Sequence, residues 1–401
     1  MGQAGQGFGA EFIGQKGWRV VAAAMLGYGL GVSVLPSFTL GVFAKPLSDA
    51  FGWSQGEIQT SIVFITIATM GLSWVVAWAA ERFGARRVTV TCQIGLALGF
   101  IFLSLAPNNL AVWYALWMVL AVLGIGTVPV IWTYGVTTWF DKGRGLALSI
   151  TLTGMGFTAL AAPPLLTMAI DLVGWRGAYV ALAAMVLLVA LPANLLLFSV
   201  REPVKVKAVS APVAFKANRN FWILLVSTIA AGFGIGGMMP NVVPILLQRG
   251  LTPYEAAAYA STLGLCVIFG RIGSGYLLDR IRAPIVAFIF LSLAALACLA
   301  LSSDAIVGWP IVVAVGLIGF ATGTEGDLMA YLTSRTFDHV LYNKVYALIW
   351  SGFALTAGTS APIFGYVYDL SGSYNAILYV SAALLIVSPI LLFALGRTPA
   401  R

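Results

Sequence analysis

The sequence predicts an all-α membrane protein, with twelve transmembrane helices in two six-helix halves related by a pseudo-two-fold axis along the membrane normal. Composition, the length of the apolar runs and an internal repeat carry that prediction. Of the 401 residues, 60% are hydrophobic and 9% charged, against about 45–50% and about 25% in soluble domains. Such a chain is suited to a lipid bilayer. A formal net charge of +8 fits a nucleic-acid partner in principle, but the basic residues sit in short loops between apolar runs. No nucleic-acid partner is therefore expected.

A helix that crosses about 30 Å of hydrocarbon needs about 18 or more apolar residues. Runs of that kind fall near residues 18–43, 58–80, 88–105, 110–139, 145–171, 176–198, 221–246, 255–278, 284–301, 309–334, 342–368 and 375–395. The longest polar stretch, Arg201 to Asn220, separates an N-terminal half (1–198) from a C-terminal half (221–401) and defines a linker at 199–220. Among the 22 Lys and Arg residues, only Lys45, Arg176 and Arg249 fall on the far side, and only Arg271 lies within a span. Positive charge concentrates on the cytoplasmic side of membrane proteins. Both termini and the linker are thus expected in the cytoplasm, in a protein of the cell inner membrane. The Gly- and Gln-rich start, Met1 to Lys16, lacks the pattern of a signal peptide and is expected to be cytoplasmic and poorly ordered. Cys92, Cys266 and Cys298 lie singly in apolar runs and read as packing residues.

Shifting the sequence by 198 residues superposes Glu57 on Glu255, Glu81 on Asp279, Arg82 on Arg280, Gly154 on Gly352, Pro164 on Pro362, Asp171 on Asp369 and Gly174 on Gly372. So many infrequent residue types meeting at one shift indicate duplication. Six helices separate the copies, so the copies share one orientation in the membrane.

The second predicted helix ends in Glu81-Arg82-Phe83-Gly84-Ala85-Arg86-Arg87, and the second copy carries Gly275-Tyr276-Leu277-Leu278-Asp279-Arg280. This doubled signature resembles that of the major facilitator superfamily. The resemblance implies that Glu81, Arg82, Asp279 and Arg280 pair and separate as the conformation alternates, gating the path. Trp139-Phe140-Asp141-Lys142-Gly143-Arg144-Gly145-Leu146-Ala147 leads into Gly154-Met155-Gly156, and Gly270-Arg271-Ile272-Gly273-Ser274-Gly275 follows in the eighth helix. These segments are similar to the monocarboxylate and oxalate/formate transporter branch, where the corresponding arginine binds the substrate carboxylate.

Arg271, Glu325 and Asp327 lie deep in predicted spans. Each costs ~2.5–3.5 kcal/mol to place at a helix centre, so function or internal pairing is the default reason for it. A guanidinium stays charged and presents a planar fork that grips a carboxylate through two hydrogen bonds. At 100° per residue, Glu325 and Asp327 point about 200° apart. Asp327 shares its stripe with Thr324, Tyr331 and Ser334 and is the better candidate for facing the lumen, and Asp327 and Glu325 are both candidates for proton coupling. Glu325 either bonds to a neighbouring helix or is protonated in place. Pro36-Ser37 in the first helix and Pro240-Asn241 in the seventh mark kinks or cavity linings, since freed carbonyls are tolerated where a helix lines a cavity. Ser37 and Asn241 are accordingly candidate lining residues, and Tyr28, Tyr134 and Tyr331 could add hydroxyls or aromatic walls.

Gly232-Phe233-Gly234-Ile235-Gly236-Gly237 matches a dinucleotide fingerprint in spacing but lacks the preceding strand, so its glycines serve helix packing. No metal cluster, nucleophile elbow or phosphate loop is present in the sequence. Neither an enzyme nor a bound cofactor is expected. The expectation is a monomeric secondary carrier that moves small organic anions, of the monocarboxylate class, together with protons. An exchanger or exporter of the same fold and a non-transporting sensor or scaffold are the alternatives.

Overall fold

The computed structural model describes residues 15–140, 143–201, 217–337 and 339–395. Most of the linker and the extreme N-terminus lie outside the described residues. Every regular element among those described is helical. The helices are α1 (Gln15–Gly29), α2 (Leu35–Phe51), α3 (Gln55–Gln59), α4 (Ser61–Phe83), α5 (Ala85–Ser104), α6 (Leu110–Gly124), α7 (Pro129–Thr137) and α8 (Arg144–Leu152). They continue with α9 (Gly154–Met185), α10 (Leu191–Leu197), α11 (Arg219–Gln248), α12 (Pro253–Leu278), α13 (Ala283–Ser302), α14 (Trp309–Thr336), α15 (His339–Ser371) and α16 (Asn375–Leu392).

Among the described residues, ten helical stretches are long and apolar enough to cross a bilayer. One of them, Arg144–Leu197, is long enough to cross twice and turns at Gly174, whose φ of 70° is left-handed. The pair α1 and α2, broken at residues 30–34, supplies the first passage. Twelve passages result, as the apolar runs predict. Leu172, Leu188, Leu196 and Leu370 are strongly exposed, as suits a surface solvated by lipid tails rather than water.

The repeat has a physical meaning in the backbone. Ser54 caps α3 and Thr252 caps α12, each in a reciprocal box with the glutamate three residues on, Glu57 and Glu255. These boxes satisfy amide groups that a helix start leaves without partners. Gly52 and Gly250 (φ 74° and 81°), and Gly174 and Gly372 (both 70°), turn the chain at matching places.

The chain forms two compact units, one of residues 1–36, 67–158 and 168–210, the other of 37–66, 159–167 and 211–401. In the first, Trp113 packs edge-on against Trp117 and Tyr179, and Phe100 stacks on Tyr179. The buried Asn194 amide donates to Thr89 Oγ1 (2.9 Å) and Gln93 Oε1 (2.8 Å), tying α10 to α5. In the second, Val286, Ala287, Val345, Ile349 and Leu392 form part of one apolar core. At one end of this unit, Asp369 of α15 accepts the backbone N–H groups of Gln55 (2.9 Å) and Gly56 (2.7 Å), completing the cap of α3. Close by along α3, Gln59 Nε2 donates to the Pro240 carbonyl (3.2 Å).

Candidate substrate site

Helices α12 and α14 cross at glycines. A Cβ on Gly270 would stand 2.4 Å from the Phe320 carbonyl oxygen, and one on Gly323 would stand 2.2 Å from that of Val267 and 2.9 Å from the Arg271 nitrogen. Gly319 faces the Leu263 carbonyl in the same way (2.3 Å). Small residues at this spacing let two helices approach to backbone contact in a membrane. The close crossing sets Arg271 of α12 beside Asp327 of α14.

Arg271 is buried, with 7% of its surface exposed. Its Nη1 donates to Asp327 Oδ1 at 3.3 Å, and its buried Nε has no partner among the described residues. The contact is single, not the two-pronged arrangement of a closed arginine–carboxylate pair. Asp327 is more accessible, its side chain 30% exposed. It lines an open cleft of about 450 Å³ with Gly275, Leu278, Asp279, Ala330, Tyr331 and Ser334. Tyr331 stands one turn beyond Asp327, and the Arg335 guanidinium lies 5.3 Å from its ring centre.

Glu325 points elsewhere, as the helical angle predicts. It is buried and lines a cavity of about 30 Å³ with Ser227, Thr228, Thr324 and Ser388 among its neighbours. Its Oε1 has no hydrogen-bond partner among the described residues. Thr324 joins Glu325 at this cavity rather than following Asp327, since it lies between the two stripes and its hydroxyl donates back to Phe320 O (2.8 Å). Ser227 and Ser388 donate to each other's carbonyls (2.9 and 2.8 Å) and so bind α11 to α16.

The remaining sequence-derived candidates separate. Asn241 is fully buried, and its amide donates to Gly237 O (2.8 Å) and Ala361 O (3.2 Å), so its donors join α11 to α15. Ser37 is half-buried in the second unit. Tyr28 and Tyr134 belong to the first unit. The Tyr28 hydroxyl donates to Met155 Sδ at 3.8 Å, and Tyr134 is half-buried. Glu81 and Asp279 are exposed, while Arg82 lies over the Trp78 and Phe83 rings and Arg280 over the Tyr276 ring at 3.4 Å.

Two features escaped the sequence reading. Tyr346 of α15 lies close enough to Asp327 and Arg271 to interact electrostatically with both. In the first unit, the passage through α6 and α7 is broken by a 3₁₀ turn at Ile125–Thr127, and the Thr127 hydroxyl accepts the Val32 N–H (2.9 Å) at the break between α1 and α2. That bond satisfies a backbone group that hydrocarbon would leave without a partner.

A duplicated six-span bundle with a guanidinium and a carboxyl placed inside it has the build of a secondary carrier. The chain belongs to the Major Facilitator Superfamily, whose family model matches residues 21–349. It is a transporter of that type and not an enzyme. Monocarboxylate transporter 11 of Mus musculus is 24% identical over 405 residues, covering 96% of this chain and 88% of that protein. Monocarboxylate transporter 13 of Bos taurus is 28% identical over 384 residues, covering 93% and 88%. Among solved structures, the nucleoside transporter NupG superposes with a TM-score of 0.74 at 11% identity, covering 95% of this chain and all of that one. At that identity the likeness establishes the fold alone.

Proposed function

We propose that the protein carries small monocarboxylates together with protons, by alternating access of the halves 1–198 and 221–401, with the acid's carboxylate held by Arg271. The observation that supports this most is the guanidinium itself, buried yet held by one 3.3 Å contact and keeping a buried Nε donor without a partner. A structural ion pair of equal depth would use its fork fully, because a buried charge is costly unless its hydrogen bonds are satisfied. The printed names of the monocarboxylate transporter relatives support the same substrate class.

In this reading, a proton on Asp327 cancels its charge and releases Arg271 to the incoming carboxylate. The loaded site is then close to neutral and can be occluded at low cost. Loss of the proton restores the Arg271–Asp327 pair and expels the acid. Glu325, which faces no charged residue among those lining its cavity, is a second proton-carrying candidate. Tyr331, Asn241, Ser37, Tyr28 and Tyr134 are the further lining candidates, and Glu81, Arg82, Asp279 and Arg280 the gating set. The carrier works as a monomer with both termini in the cytoplasm.

The test is counterflow of a labelled three-carbon monoacid in proteoliposomes, competed with the corresponding diacid. With one fixed cation at the site, a dianion leaves a charge unpaired on occlusion, a cost of several kcal/mol and so at least about a hundredfold in affinity. The monoacid should exchange and the diacid should compete poorly at neutral pH. Equal competition by the diacid would favour an exchanger with a second anion-binding locus, and no exchange of any acid would overturn the substrate class.

A further inference from the structure

Helix α15 carries a ladder of aromatic rings that the carboxylate grip alone does not require, and one of them, Tyr346, lies within electrostatic reach of Arg271 and Asp327. Tyr342 and Tyr346 stack with centroids 5.6 Å apart and planes 8° apart. Tyr346 meets Trp350 at 6.2 Å, and Trp350 meets Phe353 at 5.4 Å. Positions 342, 346, 350 and 353 fall within about 45° of their mean direction on a helix of 100° per residue, along about 16 Å of its axis.

Packing and lipid solvation each explain part of this face and leave the middle of it unexplained. Phe353 fills the space over Gly232, where a Cβ would stand 2.7 Å from its ring. Trp350 is not filled in this way, and 39% of its surface is exposed. The lipid-facing stripe of α15 is marked by Leu348 and Leu355, which are 44% and 49% exposed and point about 180–200° away from Tyr346. Trp350 points only about 40° from Tyr346. It therefore shares the side of the helix on which Tyr346 senses Arg271 and Asp327.

We propose that the acid carried is an aryl or arylalkyl monocarboxylate, its carboxylate on Arg271 and its ring stacked on Trp350 beside Tyr346. This rests on the assignment of Arg271 as the carboxylate grip. A cation at one end and the exposed aromatic face of Trp350 one helical turn beyond Tyr346 complement a molecule with an anionic head and a flat apolar body. Offset or edge-on ring pairs bind more strongly than their buried area alone provides. A saturated ring of the same size lacks the matching quadrupole.

The test measures binding of propanoate, 3-cyclohexylpropanoate and 3-phenylpropanoate to the purified full-length protein in lipid nanodiscs by calorimetry. The phenyl acid should bind at least about tenfold more tightly than propanoate and more tightly than the cyclohexyl acid. Trp350→Leu should weaken the phenyl acid about tenfold, or about 1.4 kcal/mol, and leave propanoate within twofold. Trp350→Phe should restore most of the loss. Equal affinities for the phenyl and cyclohexyl acids would overturn the ladder assignment, as would a Trp350→Leu loss shared equally by propanoate. Those outcomes leave the carboxylate grip standing. Binding that survives Arg271→Lys undiminished would remove the grip and the ladder with it.

Discussion

The two halves descend from one pattern and solve the same problem differently. Their frames match: the capping boxes at Ser54 and Thr252 and the left-handed glycines at 174 and 372 recur at the repeat distance. Their centres do not match. The C-terminal half has unbroken helices α11 and α14, and α14 brings both Glu325 and Asp327 into the bundle. At the corresponding positions the N-terminal half has Thr127 and Pro129, with breaks at residues 30–34 and in the turn at 125–127. One half presents charge on a continuous helix, and the other presents interrupted backbone held by a hydroxyl. The glycine crossing is equally one-sided, since Leu72 and Ile125 stand where the other half has Gly270 and Gly323. The frame is common to both copies, and the charges set deep in the helices, Arg271, Glu325 and Asp327, belong to one copy among the described residues.

That contrast can be broken by exchanging features between the halves. The largest effect is expected from Arg271→Lys, which keeps the charge and loses the fork. Acid binding should fall by about a hundredfold or more in calorimetry, the scale of losing a charge-assisted hydrogen-bond pair. Affinity retained in the lysine variant would move the site to another part of the molecule. Gly323→Ile copies the residue of the other half into the crossing, where even a Cβ stands 2.2 Å from a carbonyl oxygen. A loss of about 1–3 kcal/mol is expected from such overpacking, read in a denaturant titration, with a parallel drop in acid binding as Arg271 and Asp327 move apart. Normal stability in that variant would show that the crossing tolerates side chains.

Thr127→Val tests the hydroxyl that holds the broken half. It should cost about 1–3 kcal/mol, because the Val32 N–H then lacks an acceptor in a buried setting. The smallest effects are expected at the caps. Ser54→Ala and Thr252→Ala should each lower the folded fraction by no more than about tenfold in the equilibrium constant, and by similar amounts. A large difference between them would show that the frames are less alike than the backbone suggests.

The sequence made the frame legible because lipid enforces it. A helix that crosses hydrocarbon must be long and apolar, and a capping box leaves its serine or threonine three residues before a glutamate. The placement of Asp327 and Glu325 on opposite sides of α14 followed from angle alone. Pro36 signalled an interruption within the run 18–43, but the group that satisfies it, Thr127, stayed hidden because it is 95 residues away from Val32. Asn241 illustrates the opposite difficulty. A polar residue after a proline suits a lining position and a helix-to-helix bond equally well, and its contacts to Gly237 and Ala361 appear only in three dimensions. Tyr346 was hidden for a similar reason, since aromatic residues in spans are also common at membrane interfaces.

Proton coupling through the charged half is tested most directly by accumulation of a labelled monocarboxylate in proteoliposomes under an imposed proton gradient, comparing wild type with Asp327→Asn. Wild type should accumulate the acid above equilibrium. The asparagine variant should exchange labelled for unlabelled acid and accumulate none. Gradient-driven accumulation that persists in Asp327→Asn would contradict the role of Asp327 and turn attention to Glu325 and its cavity.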